Sequence, residues 1–139
     1  MTQGDKELLL QDLCARLPYG VILDYSFIEN KQRIHTKIPL TYRNIGTVAL
    51  DEWHTNEEIF KPYLRPLSSM TEEEKREYFS FIGGKRPFDC DFSVYPIEYK
   101  FIYEHDINSY IDWLNAHHFD YRGLIKKGLA LEAPKGMYK

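Results

Sequence analysis

A chain of 139 residues, 43% apolar and 28% charged, can bury one real core, which excludes a disordered or fibrous class and favours a single globular domain over 1–139. The net charge of −3 at pH 7 provides no general attraction for nucleic acid, and the apolar runs are too short to span a membrane. The opening MTQGDKELLLQDL lacks the basic start and long apolar region of a secretory signal, so a cytoplasmic protein is expected, with Cys14 and Cys90 as two ordinary thiols.

In chain order, Asp5 is expected to cap a first helix that runs to about Leu17, where Pro18 and Gly20 stop it. Leu9, Leu10, Leu13, Cys14 and Leu17 recur at helical spacing and predict one buried stripe, with Cys14 packed inside it. The period then changes to two. Val21, Leu23, Tyr25 and Phe27 share one strand face; Ile34, Thr36, Ile38 and Leu40 share another, opposite Arg33, His35 and Lys37. The polar ENKQ between them predicts a hairpin turn without the Asn-Gly signal. The apolar IGTVAL reads as a third strand, completing an antiparallel meander.

Thr55 and Glu58 have capping-box spacing and predict a short helix ending before Pro62, followed by an irregular YLRPLSS. Thr71 and Glu74 repeat that spacing and open a helix closed by Gly83 and Gly84; a loop is expected around KRPFDCDFSVYP. Ile97, Tyr99, Phe101 and Tyr103 alternate as a fourth strand. Asp106 can cap a helix reaching about His118, and YRGLIKK reads as a short last helix ending at Gly128. Because helices and strands do not alternate regularly, the expected class is α+β: a mostly antiparallel sheet of about four strands with three to five helices packed on it.

The residues that look like chemistry lie in DWLNAHHFDYRG. On a helix turning about 100° per residue, His118 lies on the apolar face with Ile107, Ile111 and Leu114, whereas His117 falls on its flank beside Trp113. The two imidazoles therefore diverge by about 100°, unlike a helical metal pair whose ligands stand one turn apart. His118 is expected to be buried at a helix end, with Asp120 as a cap or turn residue opening the next element. The catalytic alternative is a hydrolase-like His117 or His118 with Asp120 as an acid/base pair.

Elsewhere, Asp51, His54 and Glu57 within DEWHTNEE are the candidate metal ligands, against a solvated loop before a capped helix. Trp53, Trp113 and Tyr121 are the candidate contact residues. IGGKRPF lacks the phosphate-loop pattern and reads as a helix stop. The C-terminal basic residues Arg122, Lys126, Lys127, Lys135 and Lys139 oppose a single acid, Glu132, and carry an alternative reading as a nucleic-acid-binding segment.

LLLQDLCARLPYGV and YIDWLNAHHFDYRGLIKKGLALEAPKGMY resemble the two ends of a set of small proteins from gut anaerobic bacteria and their phages or mobile elements. The resemblance covers about a third of the chain and implies that setting but no activity. An accessory protein that acts by contact with another protein, without a cofactor and without a membrane, is the expectation; a homo-oligomer is compatible with it.

Overall fold

The computed structural model describes residues 2–48, 58–81 and 107–138. Within them the chain forms helix α1 (Gln3–Arg16), a 3-10 turn (Leu17–Tyr19), strands β1 (Ile22–Glu29) and β2 (Gln32–Pro39), and a one-turn helix α2 (Ile45–Val48). Strand β3 (Ile59–Leu64), a 3-10 turn (Leu67–Ser69), α3 (Glu72–Phe81), α4 (Ile107–Ala116) and the two-residue β4 (Leu131–Glu132) follow. The class is α+β, and the sheet order is β2-β1-β3-β4. β1 is antiparallel to β2 and β3, whereas β4 joins β3 in parallel, so the sheet is mixed.

α1 starts at a reciprocal capping box. The Thr2 hydroxyl accepts from the Asp5 N–H at 3.1 Å, and the Asp5 carboxylate accepts from the Thr2 N–H at 3.1 Å. Asp5 is thus the third helical residue and Thr2 the cap. The buried face of α1 is Leu9, Asp12, Leu13 and Arg16, and Cys14 is exposed. Cys14 lies outside the core because the face is rotated toward Asp12 and Arg16, which are buried as an ion pair with Nε–Oδ2 at 2.7 Å.

The β1–β2 hairpin closes on Asn30 and Lys31, both left-handed at φ 51° and 64°, the twist that a two-residue turn needs. Leu23 opposite Ile38, Tyr25 opposite Thr36 and Phe27 opposite Ile34 place the two alternating apolar sets on one face, as their period requires. α1 covers part of that face: Leu9 and Leu13 pack with Val21, Leu23, Leu40, Phe60 and Leu64, and the turn segment supplies Leu124, Leu129 and Ala130.

Three elements differ from their local signals. Ile45–Val48 is a helical turn and not a strand, because Thr41 and Asn44 exchange side-chain-to-backbone bonds at 2.8 and 3.3 Å that start a turn there. Ile59–Leu64 is the third strand and not a helix. Pro62 is tolerated in it because its partner Leu23 directs its own polar groups to β2, so the missing N–H faces away from β1, where β4 pairs only with Tyr63 and Leu64. The 121–128 segment forms turns and not a helix, closing on Gly128 at φ 75° with the Leu129 N–H on the Leu124 carbonyl at 2.9 Å. The capping box at Thr71 and Glu74 is present, with bonds of 3.0 and 3.1 Å. The expected strand at 97–103, the helix stop at Gly83 and Gly84, and Cys90 lie outside the described residues.

Two outcomes follow. Replacing Arg16 by Met leaves the buried Asp12 Oδ2 and the Phe119 carbonyl without their donor, Asp12 keeping its bond to Arg122, and is expected to lower unfolding free energy by about 1–3 kcal/mol in urea titration; no measurable loss would remove Arg16 from the structural centre. Cys14 is expected to react with a thiol reagent in the folded chain, and Cys14→Ser to change stability by no more than about 0.5 kcal/mol. Labelling of Cys14 only at the rate of unfolding would return it to the core.

Candidate functional site

The corner after α4 decides where the two histidines point. α4 ends at Ala116, and the Phe119 N–H bonds the Leu114 carbonyl at 3.0 Å while the His118 N–H bonds that of Asn115 at 3.1 Å. This is a Schellman closure, with His118 at the left-handed position usually given to glycine, at φ 64°. A side chain there costs about 1 kcal/mol relative to glycine. The hydrophobic contact that accompanies such a closure is available from Phe119 and Leu114, both fully buried. The corner is stitched to the end of β3: the Arg65 N–H bonds the His118 carbonyl and the Asp120 N–H bonds the Arg65 carbonyl, each at 2.8 Å.

The left-handed turn carries the His118 ring onto Tyr138, with centroids 3.6 Å apart and planes 19° from parallel. Tyr138 is itself pinned: its hydroxyl donates to the Tyr63 carbonyl at 2.8 Å and accepts from the Ile22 N–H at 2.9 Å. Burial pushes its pKa up to about 12. His118 is 7% exposed and its Nδ1 has no hydrogen-bond partner among the described residues. Burial, with further contributions from the positive charges of Arg16 and Arg65 and from His117, lowers its pKa to about 4. At neutral pH it is an uncharged imidazole, able to give one hydrogen bond and accept one.

His118 lines a cavity of about 610 Å³ between the start of α3, the end of α4 and the C-terminal segment. On the α3 side, Arg65 and Glu74 form a two-pronged ion pair at 2.7 and 2.8 Å. The hydrogen bonds from Arg65 hold the Glu74 carboxyl down at about 2, so it stays an anion and is no proton donor near neutral pH. Arg65 also lies 4.2 Å from the centroid of the Phe119 ring. Lys135 and Glu132 also line it. The charged groups lining it are balanced in sign, and the His118 Nδ1, which has no partner among the described residues, is itself buried.

The other candidate residues are dispersed. His117 is half-buried, stacks on Trp113 at 4.0 Å, and places Nδ1 2.8 Å from the Trp113 carbonyl; that contact requires the proton on Nδ1. Both Asp120 oxygens accept backbone N–H groups, from Leu124 at 2.8 Å and Ile125 at 2.9 Å, so its carboxylate caps the following turn and bonds neither histidine. Trp113 and Tyr121 are buried in the protein's own packing: Trp113 against Tyr78 and Phe119, Tyr121 with its hydroxyl on Asn115 at 3.0 Å. Arg122, from the basic C-terminal set, is bound to Asp12 at 2.8 Å, while Lys126, Lys127 and Lys135 are exposed. Asp51, Trp53, His54 and Glu57 lie outside the described residues, and no three His, Cys, Asp or Glu side chains among the described ones cluster as metal ligands.

The functional groups that the sequence did not single out are Arg65, Glu74 and Tyr138. Glu74 was visible as a capping residue, but its pairing with Arg65 and the approach of Tyr138 to His118 are long-range contacts with no local pattern.

The depressed His118 pKa has a definite sign for stability. The unfolded chain binds a proton near pH 6.5 that the folded chain refuses until about 4, so stability is full above 6.5 and falls as pH drops through that window. Glu74 adds a second loss only between about 4.5 and 2. His118→Asn, which tolerates the left-handed turn, is expected to flatten the thermal midpoint between pH 6.5 and 4.5 relative to the parent chain. Coincident profiles for the two proteins would disprove the burial of a neutral His118.

No family model, curated protein or solved structure matches the chain.

Proposed function

We propose that this chain is a small cytoplasmic accessory protein that works by contact with another protein, without a cofactor, and that the cavity beside His117 and His118 receives part of that partner. The observation that carries the reading is His118: a strained, nine-tenths-buried side chain on the cavity wall whose Nδ1 is unpartnered among the described residues. Backbone strain of this kind concentrates where a ligand is received. Arg65 and Glu74 satisfy one another, so the cavity suits an uncharged polar group, such as an amide, better than an ion. The position of Asp120 weighs against the hydrolase alternative, since its carboxylate is engaged by backbone amides. The likeness of both chain ends to small proteins of gut anaerobes and their phages or mobile elements fits an accessory role. No helix among the described residues is long and apolar enough to cross a membrane.

A photo-cross-linking residue at Lys135, on the cavity wall, is expected to trap a defined partner in native lysate, and one at Tyr42, 75% exposed and away from the cavity, is not. Loss of the Lys135 adduct in a His118→Leu background, with unchanged unfolding, would support the site. Equal trapping at both positions, or none at Lys135, would refute it.

A further inference from the structure

We propose that the cavity beside His118 selects its occupant as a hydrogen-bond acceptor: the group that enters it is an uncharged carbonyl oxygen, met by the Nε2–H of His118. The inference rests on the reading of the cavity as a partner site and names the chemistry of that contact. His118 is 7% exposed and lines the cavity. Of its two ring nitrogens, only Nδ1 is both buried and without a hydrogen-bond partner among the described residues. Nε2 bonds no described residue and is not sealed in this way, so it is the nitrogen that meets the open space of the cavity. Stacking on Tyr138, which is itself held by the Ile22 N–H and the Tyr63 carbonyl, fixes the plane of the ring.

A neutral imidazole has one N–H and one lone pair, and its surroundings decide which nitrogen holds the proton. The charge that acts most strongly on this ring is the guanidinium of Arg16, which is fully buried and donates from Nη2 to the carbonyl of the next residue, Phe119, at 2.6 Å. A lone pair inside the protein is stabilised by that cation, whereas an N–H in the same place has neither an acceptor nor a favourable field. Arg16 Nη1 is also buried and unpartnered among the described residues, so the interior beside the corner already has a donor to spare. The proton therefore sits on Nε2 and faces the cavity.

Acceptors on the cavity lining are engaged within the protein. The Glu74 carboxylate accepts from Arg65 Nη1 and Nη2 at 2.8 and 2.7 Å and from the Thr71 N–H at 3.0 Å. The Thr71 hydroxyl accepts from the Glu74 N–H at 3.1 Å, and the Pro66 carbonyl from the Ser69 hydroxyl and N–H at 2.7 and 2.9 Å. The Pro134 carbonyl accepts from the Met137 N–H at 3.1 Å. An occupant offering N–H groups must compete with these bonds, whereas one offering an oxygen finds the His118 N–H free. A carboxylate fits less well. The lining charges cancel, Arg65 against Glu74 and Lys135 against Glu132, so an added anion would enter a balanced site and gain one neutral donor, too little to offset its desolvation. A carbonyl oxygen has a smaller desolvation cost, and one bond satisfies both it and the imidazole. The peptide carbonyl of an extended partner segment, or that of an Asn or Gln side chain, has this chemistry.

The test uses the full chain with nitrogen-15-labelled histidine and backbone, at neutral pH, and three small probes. N,N-dimethylacetamide has a carbonyl and no N–H, acetate is its charged counterpart, and pyrrole has an N–H and no acceptor oxygen. In the free protein, the His118 Nδ1 is expected to resonate as an unprotonated nitrogen and Nε2 as a protonated one. Dimethylacetamide should shift the Nε2 resonance saturably, together with the Lys135 and Gly136 amides and without the Tyr42 amide. Its binding should be about fivefold tighter than that of acetate or pyrrole, the ratio that one neutral hydrogen bond supplies. A proton on Nδ1, tighter binding of acetate or pyrrole, or no saturable shift with dimethylacetamide would each overturn the proposal. None of these readouts needs a partner or a cross-link, so the acceptor preference can fail while trapping at Lys135 succeeds, and trapping can fail while the preference holds.

Discussion

The structure is organised around one buried guanidinium. Arg16 and Asp12 are both fully removed from solvent, and a charge in that position is tolerated only when its hydrogen bonds are supplied by the protein. Arg16 donates from Nε to Asp12 within its own helix and from Nη2 to the Phe119 carbonyl, 2.6 Å away and 103 residues along the chain, while its Nη1 has no partner among the described residues. Asp12 is held in turn by Arg122. These bonds fix α1 against the corner after α4, and the backbone bonds of Arg65 fix that corner to the end of β3. Arg65 then reaches Glu74 at the start of α3. Four elements distant in sequence are thus placed by a short chain of charge-assisted and backbone bonds, with aromatic rings packed around them.

That arrangement explains why adjacent residues of the corner have unrelated environments. Once the left-handed turn ends the helix, His118 faces the cavity, Phe119 enters the core, and Asp120 turns its carboxylate to the next backbone segment. Burial keeps His118 neutral, and the positive charges of Arg16 and Arg65 that organise the corner add to that effect.

The two edges of the sheet are treated differently. The C-terminal segment closes one: β4 pairs with β3, and Tyr138 bridges the backbones of β1 and β3. The other edge, β2, has no described strand outside it and is exposed along its length except at Ile38.

Much of the local structure was legible because its cause is local. The alternation in β1 and β2, the hairpin turn, and the Thr71–Glu74 box each depend on residues within a few positions of one another. The burial of His118 also followed from its spacing to Ile111 and Leu114, although the helix had already ended and the left-handed turn at residue 118 supplied the orientation. Where tertiary context prevailed, local pattern misled: IGTVAL is apolar and β-branched yet begins with a helical turn, and the 59–64 segment became a strand because β1 offered it a ladder. The sequence by itself therefore determined periodicity, caps and turn positions, which are set by bonds between near neighbours. Only the tertiary structure decided that Asp12 and Arg16 are buried while Cys14 is exposed, that Asp120 serves the backbone, and that Tyr138 meets His118. Those outcomes depend on which distant groups arrive to satisfy a buried charge or cover a ring, and no spacing within one segment encodes that.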